Sequence, residues 1–226
     1  MRKIVGISII TLFLFPMLYA QKKNGDVYNP DGIELVYVEG KGDIKGFYIG
    51  KFVITQEQWI AIMKKHNCYF KGADNLPVEN VSWKDIQDYL SRLNSITGRK
   101  YRLPTEAEWE FAALGGTAKS FCPGGCKYSG SNDIDKVAWY RGNSDVRTHP
   151  VGTKAPNELG IYDMTGNVLE WCEDLYDIRD TNRVPARVLR GGSFSSTDLS
   201  VLQINYRKAG LQTNRFTNWG FRIVLP

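Results

Sequence analysis

Histidine is nearly absent from the chain, which has only His66 and His149. That excludes a metal centre built on three imidazoles. Cysteine stops at Cys172, so the last quarter of the sequence contains no thiol. Proline and glycine number 9 and 22 in 226 residues and follow no fixed period, which rules out a collagen-like or low-complexity chain. Charge of one sign is not in large excess. The formal net charge is +5, and removing Arg2 and Lys3 lowers it by two, to +3. A nucleic-acid partner would call for a basic stripe, and none is present. After Tyr19 no apolar run is long enough to span a bilayer. No internal repeat is visible either.

What remains reads as a globular chain: 42% of residues are hydrophobic and 23% charged. At roughly 150 residues per domain, the length fits one large domain plus a tail. The tail is at the start. Arg2-Lys3, the apolar run Ile4 to Tyr19 and small Ala20 before Gln21-Lys22-Lys23 form a secretory signal pattern over residues 1–20. An uncleaved anchor is the competing reading. Cleavage predicts a protein outside the cytoplasm, in the periplasm or at the cell surface, and not integral to a membrane. Residues 21–32 read as a flexible polar lead-in, and 33–226 as the domain.

Strand-like stretches follow at Ile33–Val38 and Gly46–Ile54. Three helix starts carry the Ser/Thr-x-x-acid-or-amide spacing of a capping box: Thr55 with Gln58, Ser82 opening the run Trp83, Ile86, Leu90 and Leu93, and Thr105 with Glu108. Gly98 and Gly115 end the second and third of these helices. Glu106, Glu108 and Glu110 sit where negative charge favours a helix start. Beyond residue 115 the texture changes to Gly, Asn, Asp, Ser and Thr with scattered aromatics. Such a half needs a metal, disulfides or side-chain-to-backbone bonds to hold it. Cys122-Pro-Gly-Gly-Cys126 is short enough to bridge locally, although four thiols allow three full pairings and spacing does not choose among them. Cys172 reads as a buried thiol. Ser196, Asp198 and His149 supply the residue types of a hydrolase triad, but no Gly-x-Ser-x-Gly elbow accompanies them.

Several motifs occur in a fixed order. Leu76–Trp83 reads LPVENVSW and Tyr101–Glu110 reads YRLPTEAEWE. Thr148–Gly152 reads THPVG and Gly160–Trp171 reads GIYDMTGNVLEW. Arg190–Phe194 reads RGGSF and Gly220–Arg222 reads GFR. Over roughly residues 33–226 the chain resembles the formylglycine-generating enzymes, or sulfatase-modifying factors. The resemblance implies an α+β fold: a variant of the C-type-lectin fold, loop-rich, with short antiparallel sheets and a few amphipathic helices. Branches of that family include sulfoxide synthases, binding proteins and parts of surface assemblies, so fold alone leaves function open.

The resemblance also implies which residues to test. The family's two copper(I)-binding cysteines map onto Ser196 and Val201. A soft cuprous ion needs thiolates, so neither copper nor iron is expected and formylglycine generation is not. An enzyme of the superfamily with other oxidative chemistry is the alternative. The family's structural calcium site maps onto Asp163, the carbonyls of Gly166 and Val168, and Glu170, an all-oxygen set suited to calcium. The second calcium loop is shortened here and is not expected. Leu169 stands where the family usually has Trp at the edge of the groove. The segment that replaces the catalytic wall interleaves polar and aromatic residues. Ser193, Ser196, Asp198, Asn205, Arg207, Asn218 and Trp219 are the candidates there for binding a peptide, protein or glycan.

Overall fold

Three short local signals set the helices. Thr55, Ser82 and Thr105 each accept from the backbone N–H three residues on, and Gln58, Asp85 and Glu108 reach back to the cap's own N–H. These capping boxes open α1 (Gln56–Met63), α2 (Trp83–Thr97) and α3 (Glu106–Ala113). Gly98 ends α2 in the left-handed conformation at φ 68°, as expected of a glycine there. The computed structural model describes residues 22–65, 67–177 and 185–226. The expected signal segment and His66 lie outside them. No helix among the described residues is long and apolar enough to cross a membrane.

Two four-stranded sheets carry the rest. The first joins β1 (Val27–Tyr28), β2 (Leu35–Val38), β3 (Phe47–Gly50) and the C-terminal β8 (Val224–Leu225), in that order and all antiparallel. The second runs β6 (Lys208–Leu211), β5 (Ala186–Arg190), β4 (Leu169–Leu175), β7 (Trp219–Gly220). A four-residue helix, α4 (Ile134–Val137), lies between α3 and β4 in sequence. The α+β reading holds, with two corrections. The β4–β7 pair is parallel, so the sheets are not wholly antiparallel. Within the expected lead-in, residues 22–32 are not loose, because β1 pairs with β2 and Asp31 accepts from Arg99 Nε at 2.8 Å and from the Tyr101 hydroxyl at 2.5 Å. Backbone pairing there replaces the water that a polar sequence would otherwise keep.

The core has two main parts. Around α1 and α2, Trp59 stacks on Tyr89 with ring centroids 5.1 Å apart, and both meet Phe221 edge-on. Around α3, Trp109, Ala112 and Ala113 pack between the two sheets, against Val36, Val38 and Ile49 on one side and Cys172 and Val188 on the other. The loop-rich half is held by side chains that bond to backbone. Asn157 is buried, donates to the Ala112 carbonyl and accepts from the N–H groups of Leu159 and Ile161. The acidic turn of α3 is used rather than merely solvated. Glu106 and Glu110 receive the buried guanidinium of Arg190, and Glu108 pairs with Arg102.

One interaction crosses everything. Glu170 and Arg222 form an ion pair with both side chains at 0% exposure. Arg222 Nε donates to Glu170 Oε2 at 2.6 Å and Nη2 to Oε1 at 2.8 Å. Trp109 Nε1 donates to the same Oε2 at 2.8 Å. Two more guanidinium hydrogens reach the carbonyls of Gly50 and Tyr162. Arg222→Met would leave the Glu170 charge buried and unpaired, which costs about 3–5 kcal/mol. Urea denaturation should show that loss, and adding Glu170→Gln should recover part of it. An Arg222→Met protein as stable as the parent would show that the pair does not hold the fold.

Candidate functional site

The turn after β5 begins the site. Gly191 and Gly192 take φ of +91° and +70°. A Cβ on Gly192 would stand 2.6 Å from Leu202 Cδ2 and 3.0 Å from the Val201 carbonyl oxygen, so the backbone can pass there only as glycine. The chain then lays Ser193, Ser195 and Ser196 along one wall of a cleft of about 220 Å³. Asn218 forms the facing wall, placed by its carbonyl, which accepts the N–H of Leu169 at 2.8 Å. Its Nδ2 donates to Ser193 Oγ at 3.1 Å and to Ser195 Oγ at 3.0 Å. Ser196 Oγ accepts the Ser193 N–H at 3.1 Å. The floor is therefore a mesh of hydroxyls and one amide.

Ser196 and Val201 line this one cleft, together with Leu169. The three positions singled out as departures from the family pattern thus meet in space. Of the candidate binding residues, Ser193, Ser196, Asp198 and Asn218 line the cleft. The other three do not. Arg207 turns away, giving Nε and Nη2 to Glu106 at 2.8 and 2.6 Å while lying over the Tyr176 ring. Asn205 is exposed, and its carbonyl lies 3.5 Å from Arg190 Nη1. Trp219 is core, 4% exposed and edge-on to Trp171. A polar-aromatic pattern marks surface and core alike, and pairing of β7 with β4 decided which this Trp became. Lys208 and Tyr206 line the cleft but carry no local signal that marks them.

Among the described residues no hydrogen bond joins Ser196, Asp198 and His149 into a triad. Asp198 caps the following 3-10 turn through the Ser200 N–H at 2.8 Å, which holds its carboxyl below the usual range. His149 stacks on Trp139 with centroids 3.7 Å apart, and its Nε2 lies 2.8 Å from the Ser144 carbonyl oxygen.

Beside the cleft, Phe70 meets Phe194 edge-on at 5.1 Å, and Tyr69 next to it is 71% exposed. Phe216, two residues before Asn218, is 48% exposed. Phe70 is anchored by Glu79, whose Oε1 accepts its N–H at 3.0 Å. Glu79 is fully buried and its Oε2 has no hydrogen-bond partner among the described residues. Burial pushes this carboxyl up to about 7, against the pull of the Phe70 and Tyr69 N–H groups.

The residues mapped to a calcium site lie beneath the cleft. Asp163 and Asn167 sit at φ 56° and 57° with Gly166 between them at 81°, a tight turn that β4 continues. Asp163 is buried, and its Oδ2 accepts the Gly152 N–H at 2.8 Å while Asn167 Nδ2 lies 3.4 Å from its Oδ1. Burial raises its carboxyl to about 6, although that N–H and Arg222 pull the other way. Asp163 feels the charges of both Arg222 and Glu170, but only Glu170 is hydrogen-bonded to that guanidinium. Glu170 Oε1 accepts one bond and keeps a lone pair. The mapped donors are all hard oxygens, the class of ligand that calcium takes, while Glu170 is already paired with Arg222. Cys122 and Cys126 are bonded to each other at the surface, and Cys172 is buried.

Comparison with known proteins agrees with this architecture. The model of the sulfatase-modifying factor enzyme 1-like domain matches residues 37–226. Chaperone protein LppX of Paenibacillus barcinonensis is 33% identical over 221 residues, covering 75% of this chain and 76% of that protein. The formylglycine-generating enzyme of Streptomyces coelicolor is 31% identical over 178 residues, covering 67% of this chain and 53% of the enzyme. The match thus spans about half of that enzyme's length. Treponema denticola variable protein 1 superposes with a TM-score of 0.72 at 26% identity, over 88% of this chain and 98% of that one.

Glu79 generates a pH prediction. Its folded carboxyl binds a proton more tightly than the ordinary value of 4.5. Its contribution to stability is therefore present below that value and is lost as pH rises through about 7. Melting temperatures from acid to mildly alkaline pH should fall more steeply for the parent than for Glu79→Gln. Parallel curves would show that Glu79 is not charged at a cost.

Proposed function

Because the chain belongs to the sulfatase-modifying factor enzyme 1-like family, we propose that it works as a non-catalytic, calcium-stabilised module outside the cytoplasm, one that binds a ligand or holds an assembly together. The observation that carries this reading is the chemistry of the cleft. Where the family's copper-binding thiols are implied, this chain sets Ser196 and Val201 into a mesh of serines and Asn218. Hydroxyls and an amide are poor ligands for a cuprous ion and good partners for polar groups of a peptide, protein or glycan. Exposed Tyr69 and Phe216 near the cleft add ring area at low entropy cost. The Paenibacillus relative's description as a chaperone is in keeping with a polypeptide ligand. Asp163, Glu170 and the carbonyls of Gly166 and Val168 would hold calcium, whose part is to neutralise buried charge and brace the turn under the cleft.

Three measurements test the reading. The purified protein should contain calcium without stoichiometric copper or iron. It should also take up no more oxygen than buffer when given a cysteine-containing sulfatase-type peptide. Aldehyde formation on that peptide would overturn the non-catalytic assignment. With free calcium about 100-fold above its Kd, chelation should lower Tm by about 5–10 °C. Asp163→Ala should abolish that shift. An unchanged Tm on chelation would remove the calcium claim and leave the ligand-binding claim standing.

A further inference from the structure

The Cys122–Cys126 disulfide does little that a structural crosslink does. It joins residues four apart and so ties no distant elements together. In the chain-entropy picture a loop that small stabilises far less than one spanning a hundred residues. The loop tip leans on nothing. Gly124 and Gly125, at φ +76° and +95°, have no heavy atom within 4 Å of where a Cβ would stand. Phe121, next to the bond, is 64% exposed.

Two polar groups converge on one of the sulfurs. Glu158 Oε1 and Ser120 Oγ each lie 3.8 Å from Cys126 Sγ. Both are held in place. The Phe121 N–H donates to Glu158 Oε1 at 2.8 Å, and the Cys122 N–H donates to Ser120 Oγ at 3.2 Å. Glu158 follows Asn157, the buried amide whose bonds fix that turn. Its second oxygen, Oε2, is buried with no hydrogen-bond partner among the described residues. Cys122 is 8% exposed while Cys126 is half-buried, so an incoming group meets the Cys126 sulfur more readily. Exposed disulfides are the ones that exchange, and exchange is limited by how much of the attacking thiol is thiolate. At neutral pH an ordinary thiol is only a few per cent thiolate, so a carboxylate beside the reacting sulfur has a task to perform.

We propose that Cys122–Cys126 is a reactive disulfide that oxidises paired thiols of a polypeptide, with Glu158 as general base. A substrate thiol gives its proton to Glu158 Oε1, and its sulfur attacks Cys126 Sγ. The Cys122–Cys126 bond breaks, and its electron pair leaves on Cys122 as thiolate. The second substrate thiol passes its proton to that thiolate and attacks the substrate sulfur of the mixed disulfide. Cys126 leaves as thiolate and recovers the proton from Glu158. The substrate gains a disulfide, the protein ends as the dithiol, and a small-molecule disulfide such as oxidised glutathione restores it. This activity is separate from the cleft, to which alone the non-catalytic reading applies, and does not depend on the calcium or ligand assignments.

The test mixes the purified, oxidised protein with a reduced two-cysteine peptide and follows peptide disulfide formation by acid quench and mass spectrometry. A Cys122→Ser/Cys126→Ser variant supplies the background. The parent should react about 10-fold faster at neutral pH than an oxidised linear peptide of sequence FCPGGC, and Glu158→Gln should fall to within about 2-fold of that peptide. Glu158→Gln should gain about tenfold in rate per pH unit below the thiol pKa, because only bulk thiolate then attacks, whereas the parent should climb less steeply. A merely structural Glu158 would change stability and leave that slope untouched. Equal rates for protein and peptide, equal slopes for parent and variant, or isolation of the two cysteines as thiols under oxidising conditions would each overturn the proposal.

Discussion

The buried pair of Glu170 and Arg222 is the constraint on which the remaining structure depends. Glu170 belongs to β4 of the second sheet, and Arg222 lies just before β8 of the first. Trp109 of α3, wedged between the sheets, donates to the same carboxylate. Gly50, at the end of β3, and Tyr162, in the long central loop, supply carbonyls to the guanidinium. A planar cation with fixed donors can gather a carboxylate and two carbonyls only if all are brought to one point. Desolvating the two charges is expensive, and nearly every lone pair and hydrogen has to be used to offset it. That requirement fixes how the sheets, α3 and the loop sit against one another.

The cleft inherits its rigidity from this arrangement. Leu169, one residue before Glu170, accepts no freedom from the loops above it, because its N–H is committed to the Asn218 carbonyl. Asn218 is in turn committed to Ser193 and Ser195. The same stem therefore holds both walls. A pocket of hydroxyls held this way offers directional polar contacts without a redox-active ligand set, which is the physical basis for reading it as a binding surface. The disulfide stands on different supports, at a loop tip steered by Asn157 and Glu158, and its chemistry is independent of the cleft.

Local hydrogen-bonding patterns were fully legible in the sequence. Each capping box spans three residues, so Thr55, Ser82 and Thr105 announced their helices without tertiary help. The convergence of Ser193 and Ser196 was legible for the same reason, since they are neighbours on one loop. Residues whose roles depend on distant partners were not legible. Phe70 reaches Phe194 across more than a hundred positions, and Arg207 chose Glu106 over the cleft by a contact of similar span.

The amino-acid sequence by itself determined the helix starts and the strand-like stretches at Ile33–Val38 and Gly46–Ile54, each written in residue type at close spacing, and the family resemblance implied the loss of sulfur from the cleft and the oxygen-rich turn around Asp163. Only the tertiary structure decided that β1 would be a strand, that β7 would pair in parallel and bury Trp219, and that Glu158 would come to rest beside Cys126. The physical reason is one of range. Side chains within a turn of each other meet whatever the fold, whereas contacts across tens of residues exist only after the sheets and α3 have closed on Glu170 and Arg222.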